Sequence, residues 1–301
     1  MRVLVSGSTG LIGSAVIPAL VAANHEPIRL VRKRVPDDVP VRFWDPSEHS
    51  IADDALDGID AIIHLAGAGI ADRRWTERQK ARIYDSRVVG TNLLADAIAR
   101  SDSPPAVFLS GSAIGAYGDR GDEVLTEESR PGSGFLADLV NAWEAAAVVE
   151  DPPTRTVTFR TGIVLSSDGG VLGKLLPIFR MGAGGPMGRG RHWMSWISID
   201  DMVGALLWLL DDSEMRGPVN MAAPSPATNL DLSKTLARVL RRPAVMAVPP
   251  MALWAVLGRE LTREMLFASQ RILPERLLED GFEFGQPDLE LALREILDRP
   301  E

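Results

Sequence analysis

The chain contains no cysteine among its 301 residues. A disulfide framework, a thiolate nucleophile and a cysteine-ligated metal are therefore excluded, and we expect a cytoplasmic protein. Histidine is also scarce, with His25, His49, His64 and His192 scattered along the chain. Because their spacing matches no metal-binding pattern, we expect no metal site.

Positive charge is in deficit. The chain has 32 Lys and Arg against 41 Asp and Glu, which gives a formal net charge of −9. Nucleic acids and anionic membranes bind net basic surfaces, so we expect neither as a partner. The longest apolar run, residues 244–257, is too short to span a bilayer and contains two prolines. The expected partner is a small-molecule substrate, and a homodimer is left open.

Short apolar runs alternate with segments of helical period in the first half of the chain, a pattern typical of β-α-β units in a parallel sheet. We predict strands at Val3–Ser6, Pro27–Val31, Val41–Trp44, Ala61–Leu65, Ala106–Ser110 and Val157–Arg160, and helices at Leu11–Ala23, Glu77–Arg100 and Phe135–Val149. The fold class is therefore α/β, with a doubly wound parallel sheet.

The alternation stops after Gly162. Residues 169–191 are rich in glycine and predict a long, loop-rich excursion in place of a regular crossover. We assign residues 1–165 and 196–224 to a nucleotide-binding domain. Residues 166–195 and 225–301 are assigned to a smaller α+β substrate domain that includes the C-terminus.

The segment VLVSGSTGLIG, residues 3–13, places three glycines between an apolar strand and a helix. Glycine allows the pyrophosphate of a dinucleotide to approach the main chain, and the helix N-terminus then offers free N–H groups to the phosphates. This predicts a Rossmann-type turn. Its cofactor-binding residues are Gly7, Thr9, Gly10, Leu11, Ile12 and Gly13. The alternative is that the glycines serve only a tight turn.

The end of the second strand favours NADP(H) as the cofactor. NAD sites place an acidic residue about 20 positions after the turn, whereas NADP sites offer arginine to the 2′-phosphate. Here Val31 is followed by Arg32, Lys33 and Arg34, and no acid occurs before Asp37. We predict that Arg32 binds the 2′-phosphate.

Further motifs carry a resemblance to a known family. The segments HLAG (64–67), SRVVGT (86–91), SGSAIGAYG (110–118) and WISIDDM (196–202) follow the glycine turn in this order. In this the chain resembles the extended short-chain dehydrogenases/reductases. DRRWTERQK (72–80), GAGGPMGRGRHWMSWISIDD (182–201) and PERLLEDGFEFGQPDLELAL (274–293) are similar to an atypical branch of that family, the epimerase family proteins, which have a C-terminal domain of their own.

The resemblance, which covers essentially the whole chain, implies further site residues. Cofactor contacts are expected from Leu65, Ala66, Gly67, Arg87 and Arg160. Simple packing, or ion pairing for the two arginines, is the alternative. Residues 182–195 would form a wall of the substrate pocket with a cationic rim of Arg189, Arg191 and His192. The C-terminal residues Met251, Trp254, Met265 and Phe267 would either line the pocket or form core.

The expected catalytic groups are only partly present in the sequence. The family usually moves a proton with a tyrosine that has a lysine four residues later, helped by a serine. Ser112 stands at the serine position, but the helix after Phe135 reads FLADLVNAWEAAA and has no Tyr-x-x-x-Lys pair. Tyr117 is the candidate proton donor, or alternatively a loop aromatic. Glu144 is interpreted as a surface or helix-packing carboxylate.

The sequence thus predicts an NADP(H)-binding oxidoreductase of short-chain dehydrogenase type, or a nucleotide-sugar-epimerase-like enzyme, acting on a small carbonyl or hydroxyl compound. The missing tyrosine and lysine leave a second interpretation open. In that interpretation the chain is a non-catalytic NADP(H) sensor or scaffold.

Overall fold

The computed structural model describes residues 1–33, 39–149, 154–244 and 246–298. Two residues that enter the cofactor prediction, Arg34 and Asp37, lie outside the described residues.

An eight-stranded sheet forms the centre of the protein. Its strands are β1 (Arg2–Ser6), β2 (Glu26–Val31), β3 (Val41–Asp45), β4 (Ser50–Ile51), β5 (Ala61–His64), β6 (Val107–Ala113), β8 (Arg155–Thr161) and β12 (Gly217–Met221). The spatial order is β12-β8-β6-β5-β1-β2-β3-β4, and every neighbouring pair is parallel except β3 with β4. The predicted α/β fold and its six strands are confirmed, with strand ends shifted by up to three residues. The sequence prediction missed β4 and β12.

Short strand pairs lie outside this sheet. They join β7 (Val124–Leu125) with β14 (Arg271–Ile272), β9 (Ile163–Ser166) with β11 (Trp196–Ser198), and β10 (Trp193–Met194) with β13 (Ala227–Thr228). The β7–β14 pair attaches the C-terminal region to the loop that follows β6, which brings late residues close to the carboxyl edge of the sheet.

Helices cover both faces of the sheet and build the C-terminal region. They are α1 (Leu11–Ala22), α2 (Glu77–Arg100), α3 (Phe135–Ala146), α4 (Gly170–Arg180), α5 (Ile199–Asp211), α6 (Asn229–Leu240), α7 (Pro250–Leu257), α8 (Arg259–Leu261), α9 (Glu275–Glu279) and α10 (Leu289–Ile296). A π-helical turn, Thr262–Leu266, continues α8. Within the described part of the chain, no helix is both long and apolar enough to cross a membrane.

Helix α4 corrects the prediction of an irregular loop over residues 169–191. Leu172, Leu176 and Phe179 are buried along one face of this helix, at spacings of four and three residues. The glycines of the segment concealed this periodicity. Only the part after Arg180 has the predicted glycine-rich, irregular character.

The strand β1 shows why its apolar run is continuous. Val3 and Val5 pack into the core on one face of the sheet with helices α1 and α5, while Leu4 packs on the opposite face with α2. Successive side chains of a strand point to opposite faces, so a strand covered on both sides needs apolar residues at every position.

The C-terminal region has a core of its own and is anchored to the first half. Leu176, Leu236 and Leu293 bring α4, α6 and α10 together. The buried carboxylate of Asp201, in the first turn of α5, accepts hydrogen bonds from the backbone of residues 285 and 286 at 2.7 and 3.0 Å. This contact fixes the last segment of the chain against the sheet domain.

Candidate functional site

The glycine turn between β1 and α1 is built by close backbone contacts. Gly7 has φ +64°, and a Cβ there would lie 2.6 Å from the carbonyl carbon of Leu65. A Cβ at Gly13 would lie 2.3 Å from the oxygen of Gly7. Gly10 is exposed, and a Cβ there would stand 3.3 Å from that oxygen. Two of the glycines are therefore required by the packing of the chain itself, whereas Gly10 leaves an open surface.

The N-terminus of α1 is open to a ligand. No side chain caps it, and its first turn carries no acidic residue. The first N–H groups of a helix lack intrahelical partners and carry the positive end of the helix dipole. Thr9 and Gly10 are exposed in front of it. A cradle that a Cβ would fill, facing an uncapped helix, fits the pyrophosphate that the sequence predicts here.

The end of β5 is fixed to this turn by a buried serine and histidine. Ser6 Oγ accepts hydrogen bonds from the N–H groups of Leu65 and Ala66 at 3.1 and 3.2 Å. It also lies 2.6 Å from Nδ1 of His64, whose Nε2 lies 3.0 Å from Oγ1 of Thr91 in α2. The contacts hold the backbone of residues 65 and 66 beside the glycine turn, where the sequence places the cofactor.

Arg87 lies beside the backbone of Gly67 and Ala68, which follow β5. A Cβ at Gly67 would be 3.2 Å from its guanidinium carbon, and its Nη1 donates to the carbonyl oxygens of Ala68 and Ile83. The guanidinium also stacks on Trp143, with 5.1 Å to the ring centroid. Burial lowers the pKa of Arg87 to about 10, and its Nε has no hydrogen-bond partner among the described residues.

The basic residues within and directly after β2 have different surroundings. Arg32 follows β2 directly and is exposed, as is Lys33. Arg29, within the strand, donates from Nη1 to the carbonyl oxygen of Ser8 at 3.1 Å and thus supports the glycine turn. Only the structure separates the residue that supports the turn from those that reach solvent.

A polar cluster occupies the carboxyl ends of β6, β8 and β12. Ser112 Oγ donates to Oε1 of Glu144 at 2.6 Å, and Arg160 donates to both carboxylate oxygens of Glu144 at 2.8 and 2.9 Å. Arg160 Nη1 donates to the hydroxyl of Tyr117 at 2.9 Å, and that hydroxyl donates to Asn220 Oδ1 at 2.7 Å. We call these five residues the Glu144 cluster. The hydrogens of Ser112 and Tyr117 are used within the cluster, whereas Asn220 Nδ2 donates outside it, to the carbonyl oxygen of Leu273.

The electrostatics of the cluster follow from burial and pairing. Burial raises the pKa of Tyr117, which has no exposed surface, even though Arg160 and Asn220 act in the opposite direction. Burial also opposes the charge of Arg160, but hydrogen bonds to Glu144 raise its pKa above the usual value. The ion pair that the sequence left open as an alternative for Arg160 is therefore present, and a contact of Arg160 with the cofactor stays a prediction.

The glycine-rich segment differs from the predicted cationic rim. Arg189 and Arg191 are exposed, but the residue expected beside them, His192, is buried. Its ring lies 5.3 Å from that of Phe267, and burial lowers its pKa. Its Nε2 has no partner among the described residues. His192 therefore belongs to the contact between this segment and the C-terminal region.

The C-terminal methionines and tryptophan are not core. The exposed fractions of Met251, Trp254 and Met265 are 73, 37 and 39 %. They lie on α7 and on the π-helical turn. The alternative that these three residues form core is wrong.

Sequence reasoning missed two groups of this site. It interpreted Glu144 as a surface or packing carboxylate, and it did not name Asn220. The available signal was the position of Glu144 on the helix that should carry the catalytic pair. Its partners, however, lie on separate strands and could not be identified from spacing.

The chain is similar to proteins of known family. A model described as the NAD dependent epimerase/dehydratase family matches residues 3–222, and a model of a domain of unknown function, DUF1731, matches residues 248–296. An epimerase family protein of Mycobacterium tuberculosis is 38% identical over 299 residues, covering 99% of this chain and 98% of the relative.

The fold is also found in solved structures, among them two that are 36% identical to this chain. Human epimerase family protein SDR39U1 (isoform 2), crystallised with NADPH, has a TM-score of 0.93 and 36% identity, and all of both chains is covered. A nucleoside-diphosphate sugar epimerase from Corynebacterium glutamicum has a TM-score of 0.80 and 36% identity, with 99% of this chain and 58% of that chain covered.

Proposed function

Because this chain belongs to the NAD dependent epimerase/dehydratase family, we propose that it is an NADP(H)-dependent enzyme of short-chain dehydrogenase type, an oxidoreductase or epimerase. Its substrate would be a small carbonyl or hydroxyl compound. The observation that carries the proposal is the open turn at Gly10, which faces an uncapped helix while Arg32 stands exposed after β2. The human relative crystallised with NADPH supports the choice of cofactor.

The residues that would hold NADP(H) are those of the turn and of the two neighbouring strand ends. The pyrophosphate would lie on Gly7, Thr9, Gly10, Leu11, Ile12 and Gly13. Arg32 would bind the 2′-phosphate, and Leu65, Ala66 and Gly67 would form the surface under the cofactor, with Arg87 beneath them. When bound, the nicotinamide supplies hydride transfer.

Ser112 is the proposed catalytic residue. Its hydrogen is donated to Glu144, so its free lone pairs can accept a hydrogen bond from a substrate hydroxyl. Tyr117 remains part of the proposal in a supporting role. Its hydroxyl is buried between Arg160 and Asn220, which positions Arg160 and, through it, Glu144.

The sensor interpretation is favoured by one observation. The hydroxyl of Tyr117 is fully buried and both donates and accepts within the cluster, so it offers no free proton donor at the surface of the site. A protein of this kind would bind NADPH without turnover. The two candidates therefore share the cofactor site and differ in the chemistry at Ser112.

Fluorescence titrations with NADPH and NADH test the cofactor site. The variant Arg32→Ala should weaken NADPH binding about tenfold or more, through loss of a charge-assisted phosphate contact, and should leave NADH binding unchanged. Arg100→Ala, which removes an exposed arginine at the end of α2, is the matched control. Equal losses for both cofactors would contradict the role of Arg32.

Turnover separates enzyme from sensor. Purified protein is assayed with NADP⁺ or NADPH against a panel of hydroxyl and carbonyl compounds that includes nucleotide sugars. Activity that Ser112→Ala abolishes supports the enzyme. Tight NADPH binding with no turnover across the panel supports the sensor.

A further inference from the structure

Helix α7 is apolar but not buried. All eight of its residues, PMALWAVL, are apolar, and none of them is buried. Met251 and Val256 are 73 and 69 % exposed, and Trp254 is 37 % exposed. Exposed apolar patches on soluble proteins mark sites that bind a ligand or a partner.

The contacts of α7 place it at the carboxyl edge of the sheet. At its start, a Cβ on Gly188 would lie 3.5 Å from Pro250 Cγ. At its end, Arg74, from the segment after β5, donates to the carbonyl oxygens of Ala255 and Val256. The helix therefore runs between the glycine-rich segment and the segment after β5.

The π-helical turn that follows gives a third attachment at the same edge. The Glu264 carboxylate accepts a hydrogen bond from the N–H of Leu136 at 3.0 Å. Leu136 lies in the first turn of α3, the helix that also carries Glu144. In open α/β sheets, ligands bind at this edge. Helix α7 thus lies at the mouth of the crevice that holds the proposed cofactor and the Glu144 cluster.

Two guanidinium groups accompany the apolar surface. Arg259 lies 5.4 Å from the ring centroid of Trp254, and it forms no ion pair with any carboxylate in the described ranges. Among the residues that the structure describes, Arg74 donates to neutral carbonyl oxygens of α7 and forms no ion pair. Nearby, Lys80 pairs with Glu260 and Arg263 with Glu264. In a chain of net charge −9, this apolar surface therefore carries two guanidinium groups that pair with no carboxylate of the described part of the chain.

The positive charges of Arg74 and Arg259 decide whether a second copy of this chain or a small ligand fits the surface. A second copy pairing through the same face about a two-fold axis would bring these guanidinium groups together, and their repulsion opposes that arrangement. A ligand with an apolar chain and an anionic group complements both features. The apolar chain would lie on Met251, Trp254 and Val256, and the anionic group would bind Arg74 and Arg259.

We propose that these five residues, the α7 patch, bind an anionic amphiphile with an alkyl-like chain, and that the substrate belongs to this chemical class. The assignment as substrate rests on the proposed function. The patch holds the chain at the crevice mouth, which leaves a hydroxyl group of the same molecule free to approach Ser112.

Alkyl phosphates test the binding chemistry without knowledge of the natural substrate. Octyl, decyl and dodecyl phosphate are titrated calorimetrically into the full chain, below their micelle concentrations. Affinity should rise by roughly tenfold for every two methylene groups, because each buried methylene contributes a similar increment. Dodecyltrimethylammonium, which has the same chain and the opposite charge, should bind at least tenfold more weakly because it meets the arginines. Equal binding of the two head groups would overturn the proposal.

Substitutions locate the site. The double variant Met251→Ser/Val256→Ser removes only exposed side chains, so the fold should persist, and it should weaken dodecyl phosphate at least tenfold. Arg259→Gln should reduce the preference for the anionic head group. Val148→Ser, which changes a side chain 64 % exposed after α3, is the matched control and should bind as the unaltered protein does. Unchanged affinity in the double variant would refute the α7 patch.

The same preparations separate this proposal from the proposed function. NADPH titration reports the cofactor crevice and should be unaffected in the patch variants. If the unaltered protein does not bind NADPH, the proposed function alone is contradicted. Alkyl phosphate binding that is insensitive to the patch, with NADPH binding intact, would contradict the patch alone.

Discussion

Protonation of His64 should destabilise the protein as the pH falls. Ser6 Oγ already accepts two backbone N–H groups, so its own hydrogen is donated to Nδ1 of His64. The ring is therefore neutral, with its hydrogen on Nε2 directed to Thr91 Oγ1, which also accepts from Trp143 Nε1. Burial, together with the nearby charge of Arg87, lowers the pKa of His64 to about 3.

The magnitude follows from the difference between the folded and unfolded pKa of His64. The unfolded chain binds the proton near pH 6.5 and the folded protein only near pH 3, so between these values the unfolded state carries the additional proton. The contribution of His64 to stability is fully present above pH 6.5 and decreases below it by about 1.36 kcal/mol per pH unit. At about pH 5 the free energy of unfolding should be lower by about 2 kcal/mol from this residue alone.

Urea unfolding followed by tryptophan fluorescence measures this effect in the unaltered protein and in His64→Gln, at about pH 7.5 and about pH 5. Other groups titrate equally in both proteins, so the difference between their free energies of unfolding isolates His64. That difference should shrink by about 2 kcal/mol on acidification. His49→Asn, which replaces an exposed histidine, should run parallel to the unaltered protein. The reasoning is refuted if the curves of His64→Gln and the unaltered protein are also parallel.

Two further predictions concern the glycine turn and the C-terminal anchor. Gly10→Ala should keep the stability of the unaltered protein, because its Cβ would lie 3.3 Å from the oxygen of Gly7. It should lose NADPH affinity in a fluorescence titration, because the same Cβ projects from the exposed turn. Gly13→Ala should instead lower the free energy of unfolding by about 1–3 kcal/mol or more, since its Cβ meets that oxygen at 2.3 Å; equal stability of both variants would contradict the assignment. Asp201→Asn should cost about 1.5–3 kcal/mol in urea unfolding by weakening the bonds from the backbone of residues 285 and 286 to a charged acceptor. If Asp201→Asn unfolds at the same urea concentration as the unaltered protein, this contact does not stabilise the attachment of the C-terminal segment.

Local patterns predicted the sheet and the turn because each depends on residues close in sequence. The apolar run of β1 and the glycines after it lie within residues 2–13. Helix α2 was predicted with its observed bounds, since its N-cap, Thr76, and its apolar periodicity are both local. Helix α4 was missed because the glycines of the segment predicted a loop, although Leu172, Leu176 and Phe179 have helical spacing.

The catalytic side of the site depends on contacts between distant segments. Ser112 and Arg160 are neighbours because β6 and β8 pair in that register, and Glu144 meets both because α3 packs on β6. Asn220 joins them from β12, a strand that the sequence prediction did not include. No spacing rule relates these four positions.

By itself, the sequence determined the α/β fold class, the glycine turn and the basic residues after β2, since periodicity, glycine and charge act over short stretches of chain. Only the tertiary structure decided that Glu144 accepts hydrogen bonds from Ser112 and Arg160, and that α7 lies exposed at the crevice. It also decided that His64 is buried and neutral, with hydrogen bonds to Ser6 and Thr91. These outcomes depend on the order of the strands and on which helix covers them. A side chain's partners are set by that packing, and the same residue types in another strand order would meet different neighbours.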